Sequence, residues 1–295
     1  MLMLDLSIIA VDFNGHTDTK RFLESLNRSV LASSHKLDVF VVIVCNGEML
    51  NVSTDLLNHI HLKIISSGSN LGYFGGINYG LEYLRSRSIS SEHYLVCNND
   101  ILFPENFSLE FFDFMRQHVS YFVISPSLLG QDGKNQNPLF SNKPSLFKRL
   151  KLNIIFSCFP VFAFCSFMSN LVNILISRYS SSINDLSVNS SPFYIYSGYG
   201  AAYLLSNSFV ESCGSLYMPT FLMGEEFFLT YQLALLGKNI LFYPSIVLFH
   251  TNHASLNRCK YYFLWSNSKR SFGYRINLIK SSRLSNNKKV LSMLI

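Results

Sequence analysis

Two clusters in this chain hold residue types that can do chemistry. Asn98-Asn99-Asp100 closes the apolar run HYLVC. A carboxylate in such a place can hold a divalent cation, since magnesium typically takes one or two protein carboxylates and completes its shell from phosphates and water. That cation would neutralise charge growing on a diphosphate leaving group. The competing account is a plain turn in which Asn and Asp cap their own backbone. Glu225-Glu226 follows Met223-Gly224 and precedes FFLTYQLALL. One carboxylate of the pair can act as a general base on an acceptor hydroxyl. Equally, acidic residues at a helix start are favoured by the helix dipole alone.

Three weaker signals accompany them. Asn70-Leu71-Gly72-Tyr73-Phe74-Gly75-Gly76-Ile77-Asn78-Tyr79-Gly80 packs glycines ahead of a helix. Such a stretch lets backbone N–H groups approach a phosphate or nucleobase, or lets the chain pack tightly. It is neither a Walker loop nor a dinucleotide fingerprint. His250 ends an apolar run with His253 close behind, and neutral imidazole is a common metal ligand, although a lone His is more often structural. The six cysteines, Cys45, Cys97, Cys158, Cys165, Cys213 and Cys259, form no CxxC pair. Their spacing suits a reducing, cytoplasmic compartment.

The elements that must position these residues follow from periodicity. Residues 6–13, 38–45, 62–66, 93–97 and 121–126 read as buried strands, and 193–205 and 239–249 return to strand character. Helices are expected over 17–31, 77–86, 105–118 and 225–236, the last closed by Gly237, while 130–145 reads as loop. Strands alternating with helices predict a mostly parallel central sheet flanked by helices, hence an α/β fold. Ligands of such sheets sit at the carboxyl ends of the strands, where Asn14, Asn46 and Asp100 all fall.

Composition adds a boundary. Charged residues make up 14%, well under the roughly 25% usual for soluble domains. Residues 152–177 contain no charge and are long enough to cross a bilayer. A crossing helix, a helix or hairpin dipping into one leaflet, and a buried insert are the three alternatives. Membrane contact without a crossing is favoured, because a single crossing would put the two halves of one site on opposite sides. From Arg258 onward the chain is basic, lacks Asp and Glu, and interleaves aromatics such as Tyr261, Tyr262 and Trp265. That suits a membrane interface or a solvated tail, and no nucleic-acid-binding motif accompanies it. The first residues run past Asp5 directly into a strand, so no signal peptide is expected.

In this order, five blocks resemble glycosyltransferase family 2, in the branch of bacterial O-antigen and polysaccharide enzymes of rhamnosyltransferase-like kind. They are SIIAVDFNG, VVIVCNG, NLGYFGGINYG, YLVCNNDILFP and the long stretch from Gly198 to His250, in which the Glu pair, Gly237, Pro244 and His250 keep the family's spacing. The resemblance covers residues 6 to about 270. It implies a GT-A type nucleotide-sugar-binding fold over 1–257; the apolar insert at 146–190, membrane-associated by the composition above, falls within it, and the basic aromatic tail at 258–295 follows. It implies an inverting, metal-dependent transferase. Glu226 would be the base with Glu225 beside it, and Asp100 and His250 would hold Mg²⁺ or Mn²⁺. Asn14, Asn46, Asn70, Gly72, Asn78, Asn98 and Asn99 would line the donor pocket. The partners implied are a nucleotide-sugar donor, a glycan or polyprenyl-linked acceptor and the inner face of the cell membrane.

The chain departs from that pattern at three places. Cys45 stands where the family has an acidic residue, the acidic triplet keeps only Asp100, and the usual Glu-Asp pair is Glu225-Glu226. The first two departures leave open an inactive member acting as a binding or scaffold subunit. A nucleotidyltransferase would share the sheet and metal site, but its glycine-rich, Lys/Arg-bearing N-terminal loop is not evident near Asn14.

Overall fold

The computed structural model describes residues 3–52, 57, 59–177, 191–251 and 261–284. Strand β1 (Met3–Asp12) leads to α1 (His16–Ala32), β2 (Val39–Cys45), β3 (His61–Ser66), α2 (Tyr73–Ser86), β4 (Ser90–Asn98), β5 (Ile101–Leu102), α3 (Phe107–Arg116) and β6 (Val123–Gly130). Helices α4 (Leu146–Ser157) and α5 (Phe159–Ser177) follow, then β7 (Phe193–Ile195), β8 (Ala202–Ser206), α6 (Asn207–Cys213), α7 (Glu225–Leu236), β9 (Ile240–His250) and α8 (Tyr261–Leu284).

The strands form one sheet in the order β3-β2-β1-β4-β8-β6-β9-β5, with β7 on β9. From β3 to β4 every pairing is parallel, as the alternation of strands and helices predicts. Beyond β4 the sheet is mixed. β8 runs antiparallel to both β4 and β6, β9 is parallel to β6, and β5 and β7 are antiparallel to β9. After α4 and α5 the chain returns first as β7, beside the start of β9, and then as β8 between β4 and β6. The single strand expected over 193–205 is accordingly two, β7 and β8, on different neighbours.

Burial explains the unbroken apolar runs. Leu6, Ile8 and Ala10 pack with Phe22 and Leu26 of α1 and Phe111 of α3 on one face. Ile9 and Val11 pack with α2 and, through Leu229 and Leu233, share a core with α7 on the other. A strand covered on both sides needs apolar residues at every position. Helix α2 begins at Tyr73, four residues earlier than periodicity suggests. Gly76 and Gly80 lie inside it, where an added Cβ would meet Val11 Cγ2 at 2.8 Å and Ile9 Cγ2 at 2.5 Å. These glycines let the helix lie close on β1, so their role is packing.

The apolar segment is two helices. The axes of Leu150–Ser157 and Phe159–Met168 differ by 114°, and among the described residues no single helix is long and apolar enough to cross a membrane. Pro160 sits in the first turn of α5, where no helical N–H bond is lost. Helix α8, in the segment expected to be a tail, packs on both. Phe156 meets Phe272 at 5.6 Å and Phe159 meets Trp265 at 5.7 Å between ring centroids. It also docks on α7, with the Arg275 guanidinium 4.5 Å from the centre of the Phe227 ring. Residues 178–190 of the insert, and 258–260 and 285–295 of the tail, lie outside the described residues, as does His253.

Candidate active site

Register brings the polar turns together. Asp12 lies opposite Cys45 and Val11 opposite Asn98, so β1, β2 and β4 end side by side. Beyond their ends is a cleft of about 490 Å³, lined among others by Asn14, Asn46, Asn70, Gly72, Asn98, Asn99, Asp100, Glu225 and Glu226. That volume is in the range of small-molecule sites. Of the residues expected in the donor pocket, Asn78 does not line it. Its Nδ2 donates to Leu216 O at 2.9 Å and its Oδ1 accepts from Leu216 N at 2.7 Å, which staples α2 to the segment before α7. Asn78 faces that segment because it lies a full turn into a helix that starts earlier than expected.

The loop asparagines tie the cleft's rim together. Asn14, in the left-handed region at φ 55°, accepts from Glu48 N at 2.9 Å. Asn46 Nδ2 donates to Gly72 O at 2.8 Å, and its Oδ1 accepts from Ser67 Oγ at 3.1 Å. Asn70 Oδ1 accepts from Gly72 N at 3.0 Å. Gly72 itself has φ 74°, and an added Cβ would meet Phe221 O at 2.0 Å, so only glycine fits where these loops meet the segment before α7. Cys45 is fully buried, and its Sγ accepts from Leu50 N at 3.4 Å.

Asp12, which periodicity hides inside an apolar run, organises the next layer. Its Oδ1 accepts from Gly15 N at 2.8 Å, Thr19 Oγ1 at 3.1 Å and Asn99 Nδ2 at 2.8 Å. Burial pushes its carboxyl up from the ordinary value, and the bonds from Gly15 and Thr19 oppose the push. Asn99 is therefore turned toward α1, where it also reaches Thr19 Oγ1 at 2.8 Å. Asp100 points the other way. Its Oδ1 lies 3.3 Å from His250 Nε2, and both atoms are buried without a hydrogen-bond partner. His250 Nδ1 meets Gln136 Oε1 at 2.7 Å, an oxygen that can only accept. With its N–H on Nδ1 the ring would leave Nε2 free to ligate, and in that tautomer the pair would suit a shared cation. Among the described residues no group of three or more His, Cys, Asp or Glu could hold a metal. A cation at this pair would complete its shell from a bound diphosphate and water.

The carboxylate pair opens α7. Gly224 at φ 90° turns the chain into the helix, and Glu225 Oε1 accepts from Met223 N at 3.1 Å. Glu226 Oε1 accepts from Gly200 N at 3.3 Å. Burial raises both carboxyls above the ordinary glutamate value, and Glu226 pushes Glu225 further. A base raised toward neutrality is better matched to a hydroxyl proton than an ordinary carboxylate. Tyr199 connects the two chemical groups. Its ring lies 5.7 Å from that of His250, and its hydroxyl is pushed up first by burial and then by both Glu226 and Asp100.

Sequence reasoning passed over Asp12, Asp18, Tyr73, Tyr199, Phe221 and Phe263, all at or behind the cleft. Asp12 had one available signal, as a carboxylate at the end of a strand otherwise buried on both sides. Phe263 had none, since it comes from the segment expected to be a tail.

No protein-family model matches the chain. It is 26% identical over 148 residues to the low-salt glycan biosynthesis hexosyltransferase Agl10 of Haloferax volcanii, a match spanning 50% of this chain and 44% of that one. The chain thus matches under half the length of that curated relative. Among solved structures, GalNAc-T7, determined with UDP, GalNAc and Mn²⁺, superposes with a TM-score of 0.51 at 12% identity, covering 86% of this chain and 44% of that one. The chain has the GT-A glycosyltransferase fold. TarS of S. aureus is also similar, with a TM-score of 0.48 and 14% identity over 84% of this chain and 60% of that one. In this GT-A fold the cleft lies at the carboxyl ends of β1, β2 and β4.

Proposed function

We propose that this chain is an inverting glycosyltransferase of the family 2 kind, moving a hexosyl or deoxyhexosyl group from a nucleoside-diphosphate donor to a hydroxyl. The observation that supports it is the cleft at the carboxyl ends of the strands, which Asp100, Tyr199, Glu225 and Glu226 all line. The partial match to a hexosyltransferase and the fold shared with a UDP- and Mn²⁺-bound enzyme support it.

Asp100 and His250 would hold Mg²⁺ or Mn²⁺, which when bound supplies positive charge to the leaving diphosphate. The rim tied by Asn14, Asn46 and Asn70 orients the donor. Glu226 takes the proton from the acceptor hydroxyl, whose oxygen attacks the anomeric carbon as the bond to the diphosphate breaks. Glu225 sits beside it, its own carboxyl raised to about 8 by burial and by Glu226. The acceptor class is a glycan or polyprenyl-linked glycan of cell-surface polysaccharide synthesis, met on the cytoplasmic side of the membrane.

Purified protein with Mn²⁺ and a panel of sugar nucleotides tests this. Thermal stabilisation by a subset of donors, with release of the nucleoside diphosphate when acceptor is present, is expected. Failure of every donor to bind a folded chain would sink the proposal. Donor binding with no turnover on any acceptor would point to a scaffold subunit.

A further inference from the structure

We infer that α4, α5 and α8 form one docking face for an anionic lipid bilayer, and that this face sets the mouth of the cleft at the headgroup level. The face is inverted relative to an ordinary surface helix. Phe147, Leu150 and Ile154 recur along one side of α4 and point outward, with Phe147 85% exposed. Phe164 and Phe167 do the same on α5, and Tyr262 on α8. Isolated exposed apolar residues are normal, but a set repeated over three packed helices marks an interaction surface.

Charge selects the occupant. Helices α4 and α5 contain no Asp or Glu and α8 contains none, while α4 has Lys148, Arg149 and Lys151 and α8 has Lys269, Arg270, Arg275, Lys280 and Arg283. Of these, Lys151, Lys269, Arg270 and Lys280 are exposed. Outward aromatics among cations without a single carboxylate match the headgroup layer of an anionic membrane. The 114° bend between Leu150–Ser157 and Phe159–Met168 breaks the apolar segment into two short helices, a shape that suits a shallow wedge. Phe263 fixes the geometry. It belongs to α8, it lines the cleft, and its ring meets that of Phe221 at 6.5 Å. A bilayer on this face would therefore border the cleft, within reach of an acceptor hydroxyl carried on a lipid.

The inference rests on no catalytic step, and it can be read without sugar nucleotide. Trp265 is the chain's only tryptophan, and it sits within this face. Full-length protein is mixed with phosphatidylcholine vesicles, or with vesicles containing phosphatidylglycerol, and followed by flotation and by Trp265 emission. At least tenfold stronger binding to the anionic vesicles is expected, weakened by salt, with a blue shift and quenching by brominated lipid. The combined variant F147S/I154S/F164S/F167S should lose flotation, and K269E/R270E should lose the anionic preference. An unchanged circular dichroism spectrum and melting temperature show that each variant is folded. The proposal is overturned if folded wild-type protein stays out of the vesicle fraction, or if the apolar variant floats equally well. A concentration-dependent dimer that the same substitutions dissolve would also overturn it, since a second copy would then be the occupant. Loss of donor binding with flotation intact would count against the transferase reading alone.

Discussion

Asp100 Oδ1 and His250 Nε2 face each other at 3.3 Å, both buried, neither with a hydrogen-bond partner. Asp100→Ala should weaken Mn²⁺-dependent binding of a nucleoside diphosphate by more than tenfold and leave metal-free binding little changed. His250→Ala should act in the same direction, and Gln136→Ala, which frees the ring's other nitrogen, should cost less than either. Calorimetric titration with and without Mn²⁺ separates these cases. Equal nucleotide affinity of Asp100→Ala and wild type under both conditions would remove Asp100 from the metal site.

Glu226→Gln should lower kcat by about 10²–10⁴ while KM for the donor holds, the span usual for loss of a general base. Because burial raises this carboxyl, the acid limb of the wild-type rate profile should lie above the ordinary glutamate range. Turnover is then lost as pH falls through the raised value, since the base must be ionised. A profile flat from pH 5 to 8 would exclude that role.

Glu225→Gln should stabilise the fold at pH 8 and not at pH 4. Burial and its neighbour raise the Glu225 carboxyl in the folded state. The stability it contributes is complete below the unfolded value and is lost as pH rises through the folded one. Gln escapes that loss. The gap in melting temperature between variant and wild type should widen steadily with pH.

Asn99→Asp, although it restores an acidic residue that the resemblance leads one to expect, should destabilise. Asn99 Nδ2 donates to Asp12 Oδ1 at 2.8 Å, and the substitution sets two carboxylates against each other in a buried place. A loss of about 1–3 kcal/mol is expected from the abandoned hydrogen bonds alone. Asp12→Asn in the same chain should recover much of it. Denaturant titration of the four proteins of this cycle measures the coupling, and additive effects would disprove it.

His93 supplies an acid-sensitive element far from the chemistry. Its ring is packed among Phe111, Phe114 and Tyr121, its Nδ1 lies 2.6 Å from the Tyr121 hydroxyl, and burial lowers its pKa to about 4. Folded protein thus resists protonation that the unfolded chain accepts. Stability is complete above pH 6.5 and should fall by up to about 3 kcal/mol as pH drops toward 4. His93→Phe should flatten that part of the curve of melting temperature against pH.

What the sequence disclosed was mostly local. The runs ending at Asp12, Cys45 and Asn98 are continuous apolar strands, and a parallel sheet aligns their ends, so Asn14, Asn46 and Asp100 could be placed at one edge by pattern alone. Helix α7 was readable because Gly224 and Gly237 bracket it. The start of α2 was not, because glycines that break isolated helices are tolerated where the sheet needs close approach. Nor was the Asp12–Asn99 bond, which joins residues far apart in the chain. Nothing in the basic, aromatic run after Arg258 announces that Phe263 reaches the cleft. Helix α8 comes close to the start of α7, where a Cβ added at Gly224 would meet Ser271 Oγ at 2.3 Å, and no sequence pattern betrays that approach.

Strand β8 is the keystone of the sheet and also a latecomer. Its neighbours β4 and β6 are complete by Gly130, yet Ala202–Ser206 must still be threaded between them. Until then the parallel half and the β6–β9 half share no edge. The intervening loop costs little at equilibrium, since closure entropy grows only slowly with length, but pairings of such long separation slow assembly. Each half meanwhile exposes a bare strand edge, open to pairing with another chain. The expected signature is a slow, aggregation-prone refolding step at which the two halves join, whatever the strength of the finished protein.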